Sequence, residues 1–116
     1  MSFTDMLTQL KMEYVGGLPA KITTIKEHLR GEDLIALRTD FHKLKGNGKT
    51  YGLPEISELA SLVESHCLEE PDRALSSVQS AVEILEDIYS HRQSDKELNL
   101  QSDPRYLSLL SGPLAA

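Results

Sequence analysis

Apolar residues recur along this chain at alternating three- and four-residue steps, the period of helices packed on one side. The clearest run is Leu34, Leu37, Phe41, Leu44, Gly48 and Tyr51. At about 100° per residue these positions form one continuous stripe. Asp33 is placed to cap this run and Gly52 to turn the chain out of it, so the spacing predicts a helix over about 33–51. Upstream, Ser2-Phe3-Thr4-Asp5 is a capping arrangement for a first helix carrying Phe3, Met6, Leu7, Leu10 and Tyr14, which Gly16-Gly17 weakens or kinks. Pro19 suits the start of a second helix with Ile22, Ile25 and Leu29 inside, and Gly31 ends it. Downstream, Pro54 opens a helix that buries Ile56, Leu59, Ala60, Val63 and Cys67 and turns Glu55, Glu58 and Glu64 outward. After the break at Glu69-Glu70-Pro71-Asp72, Leu75, Val78, Val82, Leu85 and Tyr89 define a last long helix, widened by Ile84 and Ile88.

Amphipathic helices joined by short links predict an all-α fold, an antiparallel four-helix bundle with additional N-terminal helix segments. No segment reads as a strand. The bundle is expected over 1–91 and a tail over 92–116, because Gln93 to Asp103 is polar, lacks a stripe and reads as a linker. Asp103-Pro104 then starts a short helix through Tyr106, Leu107, Leu109 and Leu110 before Gly112-Pro113 stops it. Packing back on the bundle or a dimer contact is the plain role for that helix, and docking a partner protein the sharper one.

Composition narrows the class. The 116 residues suit one domain, and an aromatic content of 5% without tryptophan favours helix packing over a β-sandwich. A net charge of −6, from 18 acidic and 12 basic residues, argues against nucleic acid and anionic membrane as partners. The single cysteine, Cys67, rules out an internal disulfide and packs as a small hydrophobe. No basic-then-apolar leader and no run of 18 apolar residues is present, so the expected location is the cytoplasm. His28, His66 and His91 fall near predicted helix ends, where a cation meets the negative end of the dipole. No Glu-x-x-His, His-x-x-x-His or Cys-x-x-Cys occurs, so no metal site is assigned.

His42 stands apart from these. It points roughly 140° from the centre of the central stripe, into solvent. Gly46 lies four residues later, where a side chain would lean back over the imidazole, and glycine leaves the ring bare. A helical glycine costs about 1 kcal/mol relative to alanine, and Gly48 repeats the penalty. Arg38, Lys45 and Lys49 fall on or beside the histidine's face, and from Arg38 to Lys49 there are four cations against one anion, Asp40. The plain reading of such a run is the solvated face of a helix. The chemical reading is an uncovered imidazole with a free ring nitrogen to act as nucleophile and a cationic rim to stabilise an attached phosphoryl group. Ile35, seven residues before His42 on the same exposed face, is an odd place for isoleucine unless a partner covers it.

The sequence His42-x-Leu44-Lys45-Gly46, followed by Gly52 and an apolar-periodic helix ending near Glu64, resembles histidine-containing phosphotransfer (HPt) domains over roughly Tyr14 to Ile88. The resemblance implies a helical bundle whose surface histidine accepts a phosphoryl group from a receiver-domain aspartate and passes it to another receiver. Lys45 and Gly46 map onto the residues that flank the phosphorylated ring. Phe41, Asn47 and the run Gly48-Lys49-Thr50-Tyr51 depart from the small residues common in the family, and Leu53-Pro54 follows Gly52 where a small residue is common; these differences bear on partner choice. The implied partners are response-regulator receivers, with a hybrid histidine kinase as a further one, and the implied magnesium ion belongs to the receiver and not to this chain. Without a phosphate-binding loop or a Gly-x-Ser-x-Gly, the chain is expected to be a monomeric phosphohistidine carrier, not an enzyme that draws on ATP. The alternative is a helical interaction module that binds a receiver or a helical protein without turning over phosphate.

Overall fold

The computed structural model describes residues 2–111, and all regular structure among them is helical. Helix α1 spans Phe3–Gly16, α2 Leu18–Arg30, α3 Leu34–Thr50, α4 Pro54–Glu69, α5 Pro71–Arg92 and α6 Pro104–Leu110, with a 3₁₀ turn at Leu100–Ser102. The predicted Gly112-Pro113 stop lies outside the described residues.

Local chemistry sets the helix ends. Ser2 Oγ accepts from the Asp5 amide at 3.1 Å, and the Asp33 carboxylate accepts from the Ala36 amide at 3.0 Å. Each bond satisfies a first-turn N–H that has no partner within its helix. Proline stands in the first turn of α2, α4, α5 and α6, where no amide hydrogen is needed. Gly52 takes a left-handed φ of +72°, which lets the chain leave α3 and enter α4 within a few residues.

Helix α3 packs against α4, α4 against α5, and α2 against both α3 and α5, closing a ring of four helices around one core. Leu37, Phe41 and Leu44 of the predicted stripe are buried there, with Leu34 and Tyr51 packed at its edge. At Gly48 the backbone of α4 comes close against α3. A Cβ at that position would stand 2.6 Å from the Ser57 amide and 2.9 Å from the Leu53 carbonyl, so only glycine fits. Helix α1 is different: residues 3–10 are all exposed, and Phe3, Met6, Leu7 and Leu10 carry their apolar side chains into solvent.

Three readings are corrected. Glu55 does not face outward; its carboxylate is buried and receives Arg92 Nε and Nη2 at 2.8 and 2.9 Å. Glu64 does not face outward either, and belongs to the site described below. His66 lies in the last turn of α4, but it is no solvated helix-end cation. It is buried, its Nδ1 shares a 2.8 Å hydrogen bond with Ser77 Oγ, and burial together with the nearby Arg73 charge pulls its pKa down. Beyond α5 the polar connector ends at Leu100, which is buried, and α6 returns to α4 and α5 to bury Tyr106 and Leu109.

Candidate functional site

The central helix holds His42 on its outer face while Phe41 and Leu44, its neighbours on the stripe, anchor the backbone in the core. The His42 side chain is 73% exposed. Its Nδ1 lies 2.6 Å from Glu64 Oε2 across the α3–α4 seam. An ionised carboxylate can only accept, so this contact favours the neutral tautomer with its proton on Nδ1 and its lone pair on Nε2. Nε2 has no hydrogen-bond partner among the described residues.

Glu64 is 12% exposed, and its other oxygen receives Lys45 Nζ at 3.4 Å. One carboxylate thereby fixes the ring and holds a cation beside it. The sequence pattern of α4, an apolar stripe with glutamates outside, does not by itself join Glu64 to His42. The signal was present: Glu64 falls four residues after Ala60 and three before Cys67, at the edge of the packed face.

Of the other expected residues, Arg38 and Lys49 are exposed and make no salt bridge among the described residues, so their charge is available to a visitor. Ile35 is 80% exposed, as its position on the histidine's face requires. Gly46 is exposed, and a Cβ built there would meet nothing within 4 Å. Packing therefore gives no reason for glycine at 46, in contrast to 48. Asp40, the one anion of the run, is turned away to His28, whose Nδ1 lies 2.6 Å from its Oδ2. That bond is the main cause of a raised His28 pKa. The predicted residues His42, Lys45 and Gly46 thus form one cluster with Glu64, with Arg38 and Lys49 along the same helix face.

This arrangement offers a solvent-facing ring nitrogen with an oriented lone pair and fixed positive charge next to it. The family model for the Hpt domain matches residues 9–101. The chain belongs to the Hpt family. Hpt domains carry out histidine-containing phosphotransfer in two-component signalling, as carriers and not kinases, and interact with receiver domains. The match takes in α2 to α5 and ends before α6. Searches of curated proteins and of solved structures each found no match. Among the described residues, no helix is long and apolar enough to cross a membrane.

Proposed function

We propose that His42 is the phosphoacceptor of a phosphorelay, taking a phosphoryl group from the phosphorylated aspartate of one receiver domain and passing it to another. The observation that supports it most is the 2.6 Å bond from His42 Nδ1 to Glu64, on a ring whose opposite nitrogen is open to solvent. In the forward step the Nε2 lone pair attacks phosphorus, an N–P bond forms, and the P–O bond to the aspartate breaks. Its electron pair leaves on the aspartate carboxylate. No proton need leave Nε2, and the Nδ1 proton stays on the ring, donated to the Glu64 carboxylate, whose negative charge offsets the positive charge the ring gains on phosphorylation. Lys45, with Arg38 and Lys49 near by, stabilises the transferred oxygens, and Gly46 keeps the approach clear. These exposed charges are each worth about 0–1 kcal/mol, so they tune transfer, whereas the imidazole is indispensable.

On this reading the magnesium ion is supplied by the receiver, and a hybrid histidine kinase is one source of the phosphorylated receiver. The chain acts as a cytoplasmic monomer, and α2 to α5 form the antiparallel four-helix arrangement expected of the fold. The test is to incubate it with purified receiver domains phosphorylated on aspartate and to measure acid-labile, base-stable label. Wild type should take up label and His42→Gln none, with circular dichroism unchanged. A folded wild type that takes label from no receiver would leave the interaction module as the function.

A further inference from the structure

Beside the histidine, α4 carries serine at every fourth position, Ser57, Ser61 and Ser65, and so presents little bulk along the α3–α4 seam. The result is a groove of about 690 Å³ with those serines as its floor. Lys45 and Lys49 line it from α3, Glu58 and Leu62 from α4, and Tyr106 and Leu110 from α6. Ser65 is the residue after Glu64, so the groove reaches the level at which Glu64 holds the His42 ring.

The far wall is supplied by α6, and it is pinned. The Tyr106 hydroxyl donates to Glu58 Oε1 at 3.1 Å, and Arg73 donates to the Leu109 and Ser111 carbonyls at 3.3 and 3.0 Å. Arg105 ties Asp103 to Asp87 at 2.7 and 2.6 Å. The Hpt match stops at residue 101, so this wall is an addition to the part of the chain that the family model describes. Leu110 is 52% exposed and lines the groove.

The two walls select an occupant by charge. The chain is acidic overall, yet the α3 wall carries Lys45, held by Glu64, and Lys49, which makes no salt bridge among the described residues, while the lining carboxylate Glu58 is already engaged by Tyr106 and Gln101. We propose that α6, which lies outside the family match, extends the surface on which the phosphorylated receiver docks, taking an apolar side chain of the receiver against Leu110 while its acidic groups lie along Lys45 and Lys49. Helix α6 thereby takes part in deciding which receivers reach His42. The inference rests on the phosphorelay reading, and the experiment separates the two.

The test uses the full chain with Leu110→Glu and Ser61→Glu, two exposed positions at which a carboxylate enters the groove, and Thr23→Glu on α2 as a remote control. Each is labelled by phosphorylated receivers over a range of concentration and, separately, by phosphoramidate, a small donor that needs no docking. Both groove variants should raise the receiver concentration for half-maximal transfer by about tenfold, the effect of losing one well-placed interface contact, with phosphoramidate labelling and the Thr23→Glu control unchanged. Wild-type receiver dependence in both groove variants would overturn the groove and leave His42 in place. A parallel fall in phosphoramidate labelling would also overturn it, because the substitutions would then act on the ring. If neither donor labels folded wild type, the phosphorelay reading fails and the groove fails with it.

Discussion

A histidine that attacks phosphorus must present one ring nitrogen without a proton, and Glu64 arranges this for His42 by accepting from the other. A hydrogen bond to a charged group is worth about 1.5–3 kcal/mol net, and exposure of the ring places this one at the low end. Glu64→Ala should therefore slow phosphoryl transfer by about tenfold, as measured by rapid-quench labelling. Glu64→Gln should fall between, since its amide oxygen still orients the ring but carries no charge. Two other histidines give the molecule opposite responses to pH around their ordinary value of 6.5. The His66 pKa is lowered by burial, so below pH 6.5 the unfolded chain takes up a proton that the folded one refuses, and stability is lost as pH falls. The His28 pKa is raised by Asp40, so its contribution is full below pH 6.5 and is lost as pH climbs through the higher folded value. Urea midpoints between pH 5 and 8 should lose their acid-side slope in His66→Gln and the slope just above pH 6.5 in His28→Gln.

Within α3, two glycines of the same type two positions apart do different work. Gly46 has open space where a side chain would stand, so Gly46→Ala should raise stability by about 0.5–1 kcal/mol. Gly46→Gln should also keep the helix well formed yet slow transfer, because the longer chain leans back over the ring. Gly48→Ala should lose about 1–3 kcal/mol, since its methyl meets the Ser57 backbone at 2.6 Å. Thermal melts alongside the transfer assay separate the three. The sequence displayed this element well, because a stripe from Leu34 to Tyr51 and a polar cap at Asp33 are local signals that survive without any tertiary contact. It placed His42, Lys45 and Gly46 for the same reason. It did not distinguish the two glycines, since only the approach of α4 makes one of them obligatory. Nor did it join Glu64 to His42, a pair separated by 22 residues that depends on how α4 is rotated against α3. Periodicity marks which face of a helix is buried, but a carboxylate at the edge of that face looks the same whether it meets water or a histidine.

At the scale of the whole molecule, the parts least legible in the sequence are those joined by charge over long separations. A polar connector after α5 reads as a linker because no stripe runs through it, yet Asp95 within it pairs with Arg92 at 2.9 Å and with Lys11 of α1 at 3.1 Å. Arg92 in turn holds Glu55, at the start of α4, with two short bonds in a site where both side chains are nearly closed to solvent. One chain of charges thereby connects α1, α4, α5 and the segment leading to α6. Because Glu55 has no water to fall back on, removing its partner leaves a buried carboxylate unpaired, and Arg92→Ala should destabilise the protein by about 3–5 kcal/mol. The ion pair itself contributes far less, since desolvation of two charges cancels most of their attraction. The double variant Glu55→Leu with Arg92→Met, which fills the same space without charge, should therefore recover most of what Arg92→Ala loses. Denaturant midpoints of wild type, single and double variants measure this directly. Equal losses in the single and double variants would mean that Arg92 acts through its packing and its bond to Asp95, and that the connector, rather than the buried carboxylate, is what the arginine holds in place.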